Sequence, residues 1–224
     1  GKAIEALESG AFDCIKKPSF NDLSRVKDEI VEVSWMAGES QVILSETDHN
    51  EVTPPGLNLE ECGDAVIAMG ASTGGTTAIK KILEKFKKPF PPVVVVQHIP
   101  SVFSKAFADH LNLKFDFDVR EAEGGEKLKT NTVYIAPGGR QMRVVQGKKL
   151  EVVDLGSVSG HAPSVDFLFK SLAEGERPNK VVGVLLTGMG RDGADGLLEL
   201  KESGATTIAQ DKATSVVFGM PRVA

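Results

Sequence analysis

From residue 64 onward the sequence predicts an α/β fold: a doubly wound, mostly parallel sheet flanked by helices on both faces, with a β-hairpin insertion. Three observations point to it. Short continuous apolar runs, such as Ala65-Val66-Ile67-Ala68 and Val93-Val94-Val95-Val96, suit strands buried on both faces. Amphipathic helical patterns follow several of these runs, as the crossovers of a parallel sheet require. Glycine-rich turns separate run from helix, most densely at Met69-Gly70-Ala71-Ser72-Thr73-Gly74-Gly75.

Taken in order, the chain opens with a helical pattern over Gly1 to Ser9, a stop at Gly10, and the stretch Ala11-Phe12-Asp13-Cys14-Ile15-Lys16-Lys17-Pro18. A helix is predicted from Asn21 to Ser34, with Leu23, Val26, Ile30 and Val33 on one face. Between Gly38 and Gly63 the periodicity gives way to a polar, breaker-rich linker. The first strand of the main domain is Asp64 to Met69, and the helix from Thr76 lines Ile79, Ile82, Leu83 and Phe86 along one stripe. Pro92 to Gln97 is the second strand, followed by a helix holding Phe103, Ala106, Phe107 and Leu111. Phe117 to Ala122 and Thr132 to Ala136 read as further strands, and Arg140 to Val145 with Leu150 to Asp154 as a hairpin. Pro163, at a first helical position, opens a helix through Ala173. The strand Val181 to Leu186 then runs into Thr187-Gly188-Met189-Gly190-Arg191-Asp192-Gly193, followed by a helix to Glu202 and a strand from Ala205 to Ala209.

A hydrophobic content of 41% over 224 residues is enough to fill the core of such a domain. The formal net charge of −5, with no basic run longer than a pair, gives no electrostatic reason to expect nucleic acid or an anionic membrane as partner. No stretch reaches the roughly 18 apolar residues of a membrane span, and the beginning lacks the charged, apolar, small order of a signal peptide, so a soluble intracellular chain is expected. Cys14 and Cys62 are far apart and form no Cys-x-x-Cys, so both are expected to be reduced, with no disulfide framework and no zinc site. No metal or cofactor is called for.

Ser72, His98 and Asp192 each fall at the C-terminal end of a predicted parallel strand, where open α/β sheets build their sites. Serine is a poor nucleophile at neutral pH. It needs an imidazole to take its proton and a carboxylate to orient that imidazole and stabilise its charged form. Such a site requires Ser72 Oγ within reach of His98 Nε2, and His98 Nδ1 within reach of an Asp192 oxygen. The Thr73 N–H, at the helix start, is a natural donor to an oxyanion. Gly70 to Gly74 also fits G-x-S-x-G, but the acid follows the histidine here, unlike in an α/β-hydrolase. Gly70 to Gly75 spells G-x-x-x-x-G, yet Thr76 stands where a P-loop needs lysine, and Ser72 replaces the second glycine of G-x-G-x-x-G. A nucleotide-binding Rossmann-like module therefore remains the alternative to a hydrolase. Purely structural readings compete at single residues: Ser72 as a helix N-cap, His98 as a satisfied strand-end histidine, and Asp192, Asp166 and Asp211 as turn or cap aspartates. His161 is the rival base and Asp195 the rival acid, while His49 and His110 read as surface residues.

Several segments together resemble the chemotaxis receptor methylesterase family, CheB. They are Gly70-Ala71-Ser72-Thr73-Gly74-Gly75, Val95-Val96-Gln97-His98-Ile99-Pro100, Tyr134-Ile135-Ala136-Pro137-Gly138-Gly139, Pro163-Ser164-Val165-Asp166, Leu185 to Ala194, and Ala209-Gln210-Asp211 with Val216 to Pro221. Residues 1–37 resemble the last third of a receiver domain, with Lys17 as the lysine that contacts the phosphorylated aspartate's phosphate; the phosphoacceptor itself lies upstream. The resemblance implies a receiver remnant at 1–37, a linker at 38–62 and a Rossmann-like methylesterase domain at 63–224, C-terminally incomplete. It further implies Ser72 as nucleophile, His98 as base then acid, Asp192 as the orienting carboxylate, and the backbone N–H groups of Thr73 and Met189 as the oxyanion hole. The implied activity is hydrolysis of glutamyl methyl esters, releasing methanol, and deamidation of glutamines on the cytoplasmic helices of chemotaxis receptors. The implied setting is cytoplasmic phosphorelay signalling, with a histidine kinase acting through the receiver domain. Thr76, where proline is common, and Ala162, where arginine usually precedes Pro-Ser-Val-Asp, depart from the family pattern.

Overall fold

The computed structural model describes residues 63–224 continuously, the segment 23–39, and Lys2, Ala6, Ala11, Phe12, Cys14, Ile15 and Lys17. The expected boundary at 37/38 falls inside a described helical segment, while residues 40–62, with nearly all of the linker, Cys62 and His49, lie outside the described residues, as does part of the receiver-like stretch. The helix predicted over 21–34 is α1 (Leu23–Glu39), about one turn longer at its C-terminal end. Among the described residues, no helix is long and apolar enough to cross a membrane.

The main domain is built on six parallel strands: β1 (Val66–Ala71), β2 (Val93–Gln97), β3 (Asp118–Glu121), β4 (Thr132–Ile135), β7 (Val181–Leu185) and β8 (Thr206–Ala209). Their order is β3-β4-β2-β1-β7-β8, so β1 sits centrally with β2 on one side and β7 on the other. The continuous apolar runs are explained by burial on both faces. Val66, Ala68, Val94, Val96, Tyr134 and Leu185 join one core cluster, while Met69, Ala71, Val93, Val95, Val133 and Val184 join the other. Helices α2 (Gly75–Leu83) and α3 (Ser101–Lys114) cover the second face through Ile79, Leu83, Phe107 and Leu111. Helices α4 (Val165–Ala173) and α5 (Ala194–Glu202) cover the first through Leu168, Phe169, Leu172, Leu197 and Leu200. A short α6 (Met220–Val223) ends the chain.

The predicted hairpin is β5 (Gln141–Val145) paired antiparallel with β6 (Lys149–Val153). Its turn passes through left-handed Gly147 and Lys148. Met142, Val144 and Leu150 pack with the apolar face of α4, and Ser171 Oγ accepts the Val144 N–H at 3.1 Å. One helix start differs from the expectation. Pro163 precedes α4 rather than opening it; Ser164, in extended conformation, is the N-cap, and its hydroxyl accepts the Phe167 N–H. That hydroxyl satisfies a first-turn amide, which a proline one residue earlier is unable to do.

The close approach of α4 to β1 depends on Gly70, where an added Cβ would overlap Val165 Cγ1 and lie 2.8 Å from its Cγ2. Gly70→Ala is expected to destabilise the domain by about 1–3 kcal/mol through overpacking, read as a lower midpoint in urea unfolding. An unchanged midpoint would show that α4 moves away at no cost.

Candidate active site

The central position of β1 brings three strand ends together. The parallel ladders continue past the strands, with His98 N donating to Ala71 O at 3.0 Å and Ser72 N donating to Thr187 O at 3.0 Å. Ser72 therefore has His98 on one side and the Thr187–Asp192 loop on the other. It is not a helix cap. Gly74, in left-handed conformation at φ 78°, occupies the N-cap of α2, and no side chain caps that helix. The turn is tight because Ser72 O accepts the Gly75 N–H at 2.8 Å. Gln97, itself buried, braces it by donating Nε2 to Ser72 O at 2.8 Å and His98 O at 3.0 Å.

Asp192 is 1% exposed, and a carboxylate buried this deeply stays charged only when several donors surround it. Four do. Ser164 Oγ donates at 2.8 Å, Val165 N at 2.7 Å, Asp166 N at 3.1 Å and His98 Nε2 at 2.8 Å. The first turn of α4 is thus wrapped around the carboxylate, and the helix dipole adds to the attraction. Burial works to raise this carboxyl, but the hydrogen bond and charge of His98, the Val165 N–H and the Ser164 hydroxyl outweigh it and hold Asp192 below the usual carboxylate range.

His98 lies with its side chain 10% exposed. Burial is the largest influence and pushes the imidazole below 6.5; the Asp192 hydrogen bond opposes it, and the charge of His161 adds to the lowering. The ring is accordingly neutral at physiological pH. Because Asp192 only accepts, Nε2 carries the proton of their bond and Nδ1 carries the lone pair. Nδ1 is buried and has no hydrogen-bond partner. This corrects the expected ring assignment: Nε2, not Nδ1, meets Asp192, and neither nitrogen is hydrogen-bonded to Ser72. The reason is the fixed anchorage of Asp192 on α4, to which the ring presents Nε2 while lying flat against a second histidine.

That second histidine is His161, stacked on His98 with ring centroids 3.9 Å apart and planes 6° from parallel. The donor atoms of His98, His161 and Asp192 all lie within 4.8 Å of one another. Parallel stacked rings, however, direct their in-plane lone pairs side by side rather than at one point, so this set does not converge on a metal ion. His161 Nδ1 is 3.0 Å from Ser159 O, to which it donates, and 3.9 Å from Asp192.

Gly188 closes the other side of the serine. An added Cβ there would lie 2.7 Å from Ser72 Cβ and 3.0 Å from Ser72 N. Gly188 is itself pinned, donating to Val217 O at 3.0 Å and accepting from Met220 N at 2.8 Å. Met189, the next residue, is therefore carried beside Ser72. The other acidic candidates lie elsewhere. Asp195 pairs with Arg191 at 2.7 Å on the surface, and Asp211 accepts from Thr214 N and Oγ1 in a local turn. Asp166 accepts from Gly196 N at 2.7 Å at the start of α5. His110 lies half-buried on α3, away from these strand ends.

Sequence reasoning missed Gln141 and the second role of Ser164. Ser164 was legible as a potential cap, but its bond to Asp192 spans 28 positions. Gln141 donates to Gly156 O and His161 O, both at 2.8 Å, and accepts from Ser164 N at 2.8 Å; partners 15 to 23 residues away leave no local pattern.

The family model described as CheB methylesterase matches residues 67–224. The protein-glutamate methylesterase/protein-glutamine glutaminase 1 of Rhizobium johnstonii is 42% identical over 224 residues, covering 99% of this chain and 64% of its own length. The corresponding protein of Agrobacterium fabrum is 41% identical over 229 residues, covering 99% of this chain and 65% of its own. This chain thus spans a little under two thirds of these relatives. A crystal structure of the Thermotoga maritima CheB methylesterase catalytic domain is similar with a TM-score of 0.68 at 39% identity, covering 72% of this chain and 87% of that one.

Proposed function

Since the chain belongs to the CheB methylesterase family, we propose that it hydrolyses glutamyl methyl esters, and deamidates glutamines, on the cytoplasmic helices of chemotaxis receptors. The observation that carries this reading is the buried His98, at the strand end next to Ser72, bonded through Nε2 to Asp192 and with an unpartnered Nδ1. Such an imidazole is a base in waiting.

In the proposed reaction Ser72 Oγ attacks the ester carbonyl while His98 Nδ1 takes its proton. The imidazolium is stabilised by Asp192, and the oxyanion by the N–H groups of Thr73 and Met189. Collapse expels methanol, protonated by His98, and leaves a glutamyl-seryl ester. Water, deprotonated by the same imidazole, then releases glutamate and free Ser72. With glutamine the leaving group is ammonia. No metal or cofactor takes part. In the whole protein, residues 1–37 would complete a receiver domain that a histidine kinase phosphorylates and that covers the site until then, the setting being cytoplasmic sensory adaptation.

Incubating the chain with receptor carrying radiolabelled methyl esters tests the reading by release of labelled methanol; no release at any pH between about 6 and 9 would refute it. Because burial depresses His98, the imidazole stays unprotonated below its ordinary value. The acid limb of kcat/KM is therefore expected below pH 6.5. A limb at or above 6.5 would show that His98 is solvated during turnover.

A further inference from the structure

We propose that His161 is a positioning residue for the His98 base: its ring lies flat on the imidazole, excludes water from one face, and holds the orientation that gives Nε2 to Asp192 and leaves Nδ1 without a partner. The proposal rests on the reading of His98 as the base.

The stack is 3.9 Å between centroids at 6°. What makes it a built feature is how the turn bearing His161 is secured. Val158 and His161 exchange backbone hydrogen bonds, both 2.9 Å. Gln141, fully buried on β5, holds Gly156 O and His161 O with one amide group. Gly139 N donates to Ala162 O at 2.9 Å. Ser159, held at φ 51°, donates its hydroxyl to the buried Asp166 at 3.1 Å, while its carbonyl accepts from His161 Nδ1. The β5 strand, the turn at Gly139 and the first turn of α4 thus fix a ring that is itself 39% exposed. A ring so exposed adds little to the core; what the anchoring secures is its face against His98.

The charged groups acting on His98, among the described residues, are Asp192 from the loop after β7 and His161 from this turn; Asp166, on α4, lies within the field of Asp192. Burial pushes Asp166 up, against its bonds from Gly196 N and Ser159. Removing the His161 ring opens His98 to water and deletes the neighbouring charge that adds to its lowering. Both changes favour the imidazolium.

The test is a pair of variants of this chain, His161→Ala and His161→Phe, each ¹⁵N-labelled at histidine, with the His98 resonances followed against pH and assigned by His98→Gln. In the wild type, Nε2 is expected to be the protonated nitrogen, with titration below 6.5. In H161A the titration is expected to move up toward 6.5, and kcat/KM for methyl-ester hydrolysis to fall roughly threefold more at pH 6 than at pH 8.5. H161F keeps a flat ring over His98, so its titration is expected to stay below that of H161A. If H161A titrates as the wild type does, or if its rate falls equally at both pH values, the positioning role is overturned. The resonance readout needs no turnover, so it decides this point even if the chain releases no methanol.

Discussion

Asp192→Asn is expected to lower kcat for receptor ester hydrolysis by about 10³–10⁴-fold, and Ser72→Ala and His98→Ala by at least as much. The carboxylate oxygens accept from four donors at once, and an amide presents one oxygen and one NH₂ group to the same four. Whichever way the amide turns, its NH₂ faces a donor, and the negative charge opposite Nε2 is gone. The imidazolium that forms when Ser72 loses its proton then has no counter-charge in a buried site, where that charge is worth most. The measurement is single-turnover release of labelled methanol, with circular dichroism to confirm folding and Asp195→Asn, on the surface, as a control. Activity of D192N within tenfold of the wild type would remove Asp192 from the catalytic set.

Gly188→Ala is expected to lower kcat by about 10²-fold while leaving a folded protein that is less stable by about 1–3 kcal/mol. The added methyl would overlap Met220 Sδ, which can yield, and approach Ser72 Cβ at 2.7 Å and Ser72 N at 3.0 Å, which cannot without moving the serine. Ser72 has little freedom to retreat, since its N–H is held by Thr187 O and its carbonyl by Gly75 N and Gln97. The same shift would displace the Met189 amide from any oxyanion formed at Ser72. A thermal melt and steady-state kinetics together check this. A variant with lowered stability but kcat within threefold of wild type would mean that Gly188 serves packing alone.

The strand alternation was legible because burial on both faces writes itself as continuous apolar runs, and Val93 to Val96 is the clearest example. The stations of Ser72, His98 and Asp192 were legible for a related reason, since parallel strands end on one edge and their turns carry the glycines. Strand boundaries shifted by one or two residues, as at β1 and β6, where the hydrogen-bond ladder outlasts or precedes the hydrophobic pattern. The start of α4 was misread because a proline and a serine side by side both favour helix entry, and only the backbone conformation decides which one caps.

The sequence by itself determined the family, the sheet and the three side chains at its edge, because these depend on local hydrophobic period, turn chemistry and residue type. Only the tertiary structure decided which imidazole nitrogen meets Asp192, that Gly74 rather than Ser72 caps α2, and that His161 stacks on His98 instead of replacing it. Those outcomes depend on α4 arriving against Asp192 and on Gln141 reaching across from the hairpin, contacts between segments 15 to 28 residues apart. Orientation and burial at that range are set by packing, which has no period along the chain.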